Sequence, residues 1–65
     1  MKILFKFDGF TVKSKIINTG DNYNQMVYLL TNGVVIAGTS FKEHEPLANI
    51  MQWAINASKP NNFTL

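Results

Sequence analysis

The chain contains no cysteine. That excludes a disulfide framework and removes thiolates from metal binding and nucleophilic catalysis alike. A reducing compartment is compatible with it. Arginine is missing too: all six basic side chains are lysines. With it goes the planar fork that reads guanine and grips phosphate bidentately. One histidine and four acidic residues leave too few ligands for a structural zinc or a calcium loop. No run approaches the roughly 18 apolar residues of a membrane span. The first apolar stretch, Ile3-Leu4-Phe5, is cut by Lys6 and Asp8, which argues against a secretory leader. The sequons Asn56-Ala57-Ser58 and Asn62-Phe63-Thr64 therefore read as chance matches.

These absences bear on stability. The 65 residues form one small domain, 1–65, which buries only about 60% of the surface its unfolded chain exposes. Domains of this size draw support from disulfides, a metal or another chain. With the first two unavailable, oligomerisation is the expected source.

What is present is periodic. Residues 2–7, KILFKF, alternate, and Asp8-Gly9 is a two-residue hairpin signal. Across that turn Phe7 pairs with Phe10, Phe5 with Val12 and Ile3 with Ser14, all on one face. The opposite face collects Lys2, Lys6, Lys13 and Lys15 with Leu4, Thr11 and Ile17. This predicts strands at about 2–7 and 10–18, with 18–24, NTGDNYN, as a loop. A second hairpin, with strands at about 25–31 and 34–41, turns at Asn32-Gly33. Its expected inner residues are Val27, Leu29, Val34 and Ile36. Gly38 is expected to mark a bulge or a close approach. Proline suits a helix start, so a helix is expected from Pro46 to Ser58, with Glu43 and Glu45 complementing its N-terminal dipole and Lys59-Pro60 ending it. Leu47, Ile50, Met51, Ala54 and Ile55 form its apolar stripe. Residues 59–65 are expected to be a frayed tail, the alternative being that Phe63 folds back.

The expected fold class is α+β: a four-stranded antiparallel sheet of two hairpins with one C-terminal amphipathic helix on one face, ββββα. A lone helix covers one sheet face, which leaves Met26, Tyr28, Leu30, Val35 and Ala37 as an apolar patch on the other. Such patches mark interaction surfaces. The outward arc of the helix, with Asn49, Gln52 and Asn56, carries no charge. Trp53 lies at the margin of the stripe, packed against the core or serving as an anchor.

Chemistry is harder to find. His44 sits in a charged turn, Lys42-Glu43-His44-Glu45, with no nucleophile beside it. No phosphate loop, metal cluster or dinucleotide fingerprint occurs. The expectation is a cytoplasmic, non-catalytic binding protein without cofactor or metal. Its partners would be a second copy of itself, by packing of the outer sheet faces, and/or a target protein. Abundant asparagine and isoleucine with lysine in place of arginine suits an accessory protein of a phage or mobile element that inhibits or modulates a host protein, in the host cytoplasm. The other readings are a nucleic-acid-binding regulator using Lys2, Lys6, Lys13 and Lys15, and a subunit of a larger assembly.

Overall fold

A computed structural model describes residues 1–20 and 22–59. The tail from residue 60, expected to fray or to fold back through Phe63, lies outside the described residues. Strands β1 (Lys2–Phe7), β2 (Phe10–Thr19), β3 (Asn22–Thr31) and β4 (Val34–Lys42) are followed by helix α1 (Leu47–Ser58). The strands form one antiparallel sheet in the order β1-β2-β3-β4, so the ββββα fold is a simple meander.

The turns follow from the sequence. Asp8 and Gly9 take φ of 46° and 82°, and Asn32 and Gly33 take 53° and 77°. Two consecutive positive φ values match the right-handed twist of a tight hairpin, and Asp-Gly and Asn-Gly tolerate them best. The middle connection is shorter than its composition suggests. Thr19 pairs directly with Asn22, so the expected loop at 18–24 is mostly strand. Gly20, at φ 75°, belongs to this turn, and ladder hydrogen bonds then carry polar residues that strand propensity alone disfavours.

Both edge strands slip by one residue. In β1, Phe7 and Phe5 pair with Phe10 and Val12 as expected, but Ile3 then pairs with Lys13 and Lys2 with Ser14. Leu4 is the extra residue of a bulge. Leu4 therefore packs against the core, whereas Ile3, expected inside, is exposed. In β4, Val35 pairs with Leu30 but Ala37 with Leu29, leaving Ile36 over. Ala37, expected on the outer patch, turns inward against the core. Ile36, expected in the core, is 48% exposed. Val34, also expected inside, sits exposed beside the Asn32-Gly33 turn.

The core is small. Val12, Val27 and Leu29 from the central strands meet Ile50 and Ala54 of α1, with Leu4, Phe5, Phe7, Phe10, Phe41 and Trp53 around them. Burial of a side chain such as Leu29 contributes about 1.5–3 kcal/mol. Gln25, buried among apolar neighbours, fixes the approach to the helix. Its Nε2 donates to the carbonyls of Lys42 at 3.1 Å and Glu43 at 3.4 Å. Pro46 caps α1 at φ −58°, one residue before the helix. No acidic residue lies in the first turn. Glu45 acts instead through Asn49, whose Nδ2 donates to Oε2 at 2.7 Å.

Candidate interaction surfaces

The cross-strand rows of the register build the face turned away from α1. One row runs Ile3, Lys13, Tyr28, Gly38; the next runs Lys6, Thr11, Leu30, Val35. A third runs Lys15, Met26, Ser40, and Lys42 joins the face opposite Asn24. Met26, Tyr28 and Leu30 thus form a stripe along β3, all half-buried, with Val35 more exposed beside it. Ala37 leaves this expected patch because of the β4 bulge. Ile3 joins the face for the same reason at β1. Tyr28 lies on Gly38: a Cβ placed there would stand 3.3 Å from Tyr28 Cδ1. The missing side chain of Gly38 is what lets the ring lie down on the strand.

Lysines rim this stripe. Lys6, Lys13, Lys15 and Lys42 share the face. Lys2, expected among them, crosses with the bulge to the helix side, opposite Ser14. Lys13 is half-buried between Ile3 and Tyr28, as a long stem over apolar neighbours tends to be. The four strands contain no carboxylate. The described acids sit at the Asp8 turn and in the segment holding Glu43 and Glu45.

The helix side holds a second apolar surface, which the stripe reading of α1 misses. Ile50 and Ala54 are buried, but Leu47, Met51 and Ile55, expected with them, are 49%, 41% and 37% exposed. At about 100° per residue the apolar arc from Trp53 round to Ile55 spans about 200°. One sheet below a helix takes an arc of roughly 100°. Trp53 anchors the β4 side, its ring 6.2 Å from that of Phe41 at 81°. The opposite flank is left overlooking the first hairpin. A cleft of about 640 Å³ opens there between Leu4, Ile16, Leu47 and Ile50, with the buried Ser14 and Gln25 also lining it and Lys2, Glu43, His44 and Glu45 at its charged rim. A second, of about 360 Å³, lies further along between Phe7, Met51 and Ile55, with Asp8 and Lys59 at its edge. The width of the arc was available in the sequence; which side of it the sheet would leave bare was not.

Asn49, Gln52 and Asn56 lie on the solvent side of α1, as expected of the outward arc, and Trp53 is half-buried. His44 is 93% exposed with Nε2 3.8 Å from Glu43 Oε1. Among the described residues no three metal-ligating side chains cluster, and no helix is long and apolar enough to cross a membrane.

Fold and surfaces together define a small ββββα protein with a lysine-rimmed apolar sheet face and a charge-free apolar helix flank. Comparison with known proteins yields no matching family model, no matching curated protein and no matching solved structure.

Proposed function

We propose that this chain is a small non-catalytic binding protein that works through protein–protein contacts, docking its outer sheet face on an acidic surface of a target protein. One observation carries the reading. The stripe Met26, Tyr28, Leu30 and Val35 is bordered by Lys6, Lys13, Lys15 and Lys42, with no carboxylate in any strand. An apolar centre with a polar rim is ordinary interface anatomy. A rim of one sign steers a partner of the other sign and rejects its own kind. Stacking two such faces opposes lysine to lysine, so the target is a different molecule. The lysine-, asparagine- and isoleucine-rich composition suits an accessory protein that modulates a host protein.

The same lysines favour a second reading, nucleic-acid binding, in which Tyr28 stacks on a base while Lys13 and Lys15 meet phosphates. Among the described residues Tyr28 is the one aromatic on this face, a short platform, so most of the affinity would rest on charge.

Two titrations followed by backbone amide shifts separate the readings. One uses an acidic amphipathic peptide, the other a single-stranded oligonucleotide. Shifts centred on Lys13, Tyr28 and Leu30 with the peptide, abolished by Leu30→Glu, are expected. Binding of the oligonucleotide alone, weakening steeply with salt, transfers the function to nucleic acid. No response to either probe refutes both.

A further inference from the structure

We infer that the bare flank of α1 is a self-association seam: two copies pair their helices antiparallel about a two-fold axis at Met51. This surface is distinct from the lysine-rimmed face, and its occupant is a second copy of the chain.

Three features point to a copy. First, the ridge is self-complementary. Leu47, Met51 and Ile55 stand at i, i+4 and i+8, one ridge of the kind that interdigitates between helices. A dyad at the middle residue brings Met51 against Met51 of the second copy and Leu47 against its Ile55. Each half repeats the contacts of the other, as a two-fold interface requires. Second, charge is arranged for antiparallel approach. Nothing between Pro46 and Ser58 is charged, so helix meets helix without repulsion. Glu43 and Glu45 precede one end and Lys59 closes the other. Antiparallel pairing sets the acids of each copy toward the lysine of its mate, and opposes the two helix dipoles. Third, the space fits. Four strands at about 4.8 Å spacing give a sheet roughly two helix diameters wide. Helix α1 lies on the central strand β3, and among the described residues the clefts lined by Leu4, Ile16 and Phe7 leave the first-hairpin side of the sheet open. The second copy's helix closes that trough. Three residues and a trough edge make a small seam, so the dimer is a weak one, dissociating in the micromolar range.

The test is sedimentation over a dilution series, with far-UV circular dichroism as the check on folding. Wild type is expected to shift from dimer to monomer on dilution. Leu47→Lys should raise the dissociation constant by about tenfold or more, because it leaves a charge in the seam without a partner. The double variant Leu47→Lys/Ile55→Glu should restore it. Those two positions lie about 12 Å apart on one helix at 1.5 Å per residue, too far to pair within a chain, and they meet only in an antiparallel dimer. Leu30→Lys, on the other face, should leave association unchanged. Since the chain has no cysteine, Met51→Cys should form a covalent dimer on mild oxidation and Asn49→Cys should not. Dissociation by Leu30→Lys but not by Leu47→Lys would move the dimer to the sheet face and overturn the seam. So would failure of the double variant to rescue. A monomer at every concentration would overturn it too, while leaving the acidic-peptide titration free to succeed. If removing residues 60–65 from such a monomer exposed Met51 to oxidation, the trough would belong to the chain's own tail.

Discussion

The two central strands and the two edge strands follow different rules. β2 and β3 stay in register without a break from Phe10↔Thr31 to Thr19↔Asn22. β1 and β4 each slip once, at Leu4 and at Ile36. A central strand is held by ladders on both sides, so an added residue would disrupt two sets of hydrogen bonds. An edge strand has one ladder to lose, and a bulge there increases twist and spoils the edge as a template for further pairing. Side chains pay for this unequally. Val12, Val27 and Leu29 are fully buried, whereas Ile3 and Ile36 stand half in water.

Removing side chains from the two classes of strand breaks or sharpens that contrast most directly. Leu29→Ala should cost about 2–5 kcal/mol. A domain of this length has only about 3–10 kcal/mol in total, so the variant should be largely unfolded in urea titrations. Ile36→Ala should shift the midpoint by less than about 0.5 kcal/mol, the usual range for a surface position. Equal losses at the two sites would mean that Ile36 is in the core and β4 has no bulge. Next in size is Gln25→Ala. It strips the carbonyls of Lys42 and Glu43 of a buried donor and should cost about 1–3 kcal/mol. The loss should appear as faster amide exchange at Glu43 and Glu45, at the end of an edge strand, before it appears in β2. Gly33→Ala forces a Cβ onto a residue at φ 77° and should cost about 1–2 kcal/mol. Gly9→Ala, at φ 82°, should match it, since both turns close a central strand onto an edge.

The same contrast accounts for what the sequence made legible. The element types and order, both glycine turns and the helix limits to within a residue could be read from period and turn chemistry. Near the first turn the pairing was right, because a two-residue turn dictates it: Phe7↔Phe10 and Phe5↔Val12. From each bulge onward every face assignment on the edge strand inverted, which misplaced Leu4, Ile3, Lys2, Ile36 and Ala37. A bulge leaves little trace where both parities are apolar, as in Val34-Val35-Ile36-Ala37. The loop at 18–24 was misread because asparagine and glycine mark a turn without saying how much of their neighbourhood stays strand. The surface stripe survived because Met26, Tyr28 and Leu30 lie on an unbroken central strand. The bare helix flank was missed because an apolar stripe was equated with a buried one.

The smallest expected effect tests how far the outer face is preformed. In Gly38→Ala the new methyl lies 3.3 Å from Tyr28 Cδ1 and 3.6 Å from both Tyr28 Cε1 and the Val27 carbonyl oxygen. The closest distance is tighter than ordinary contact, so the ring must yield by a few tenths of an ångström. Against this, glycine inside a strand costs about 0.5–1 kcal/mol in backbone entropy relative to alanine. The two terms oppose each other, and the net change in stability should fall within about 0.5 kcal/mol. The ring should nonetheless move, and the aromatic proton shifts of Tyr28 should report it even where the urea midpoint does not. If β4 is as yielding as its bulge implies, strand and ring share the displacement. A loss above about 1.5 kcal/mol, the range of overpacking in a rigid site, would show that the strand cannot give way. Combining Gly38→Ala with Tyr28→Leu decides whether the ring is the cause: the penalty should vanish once the aromatic edge is gone, leaving the entropic gain of the alanine exposed.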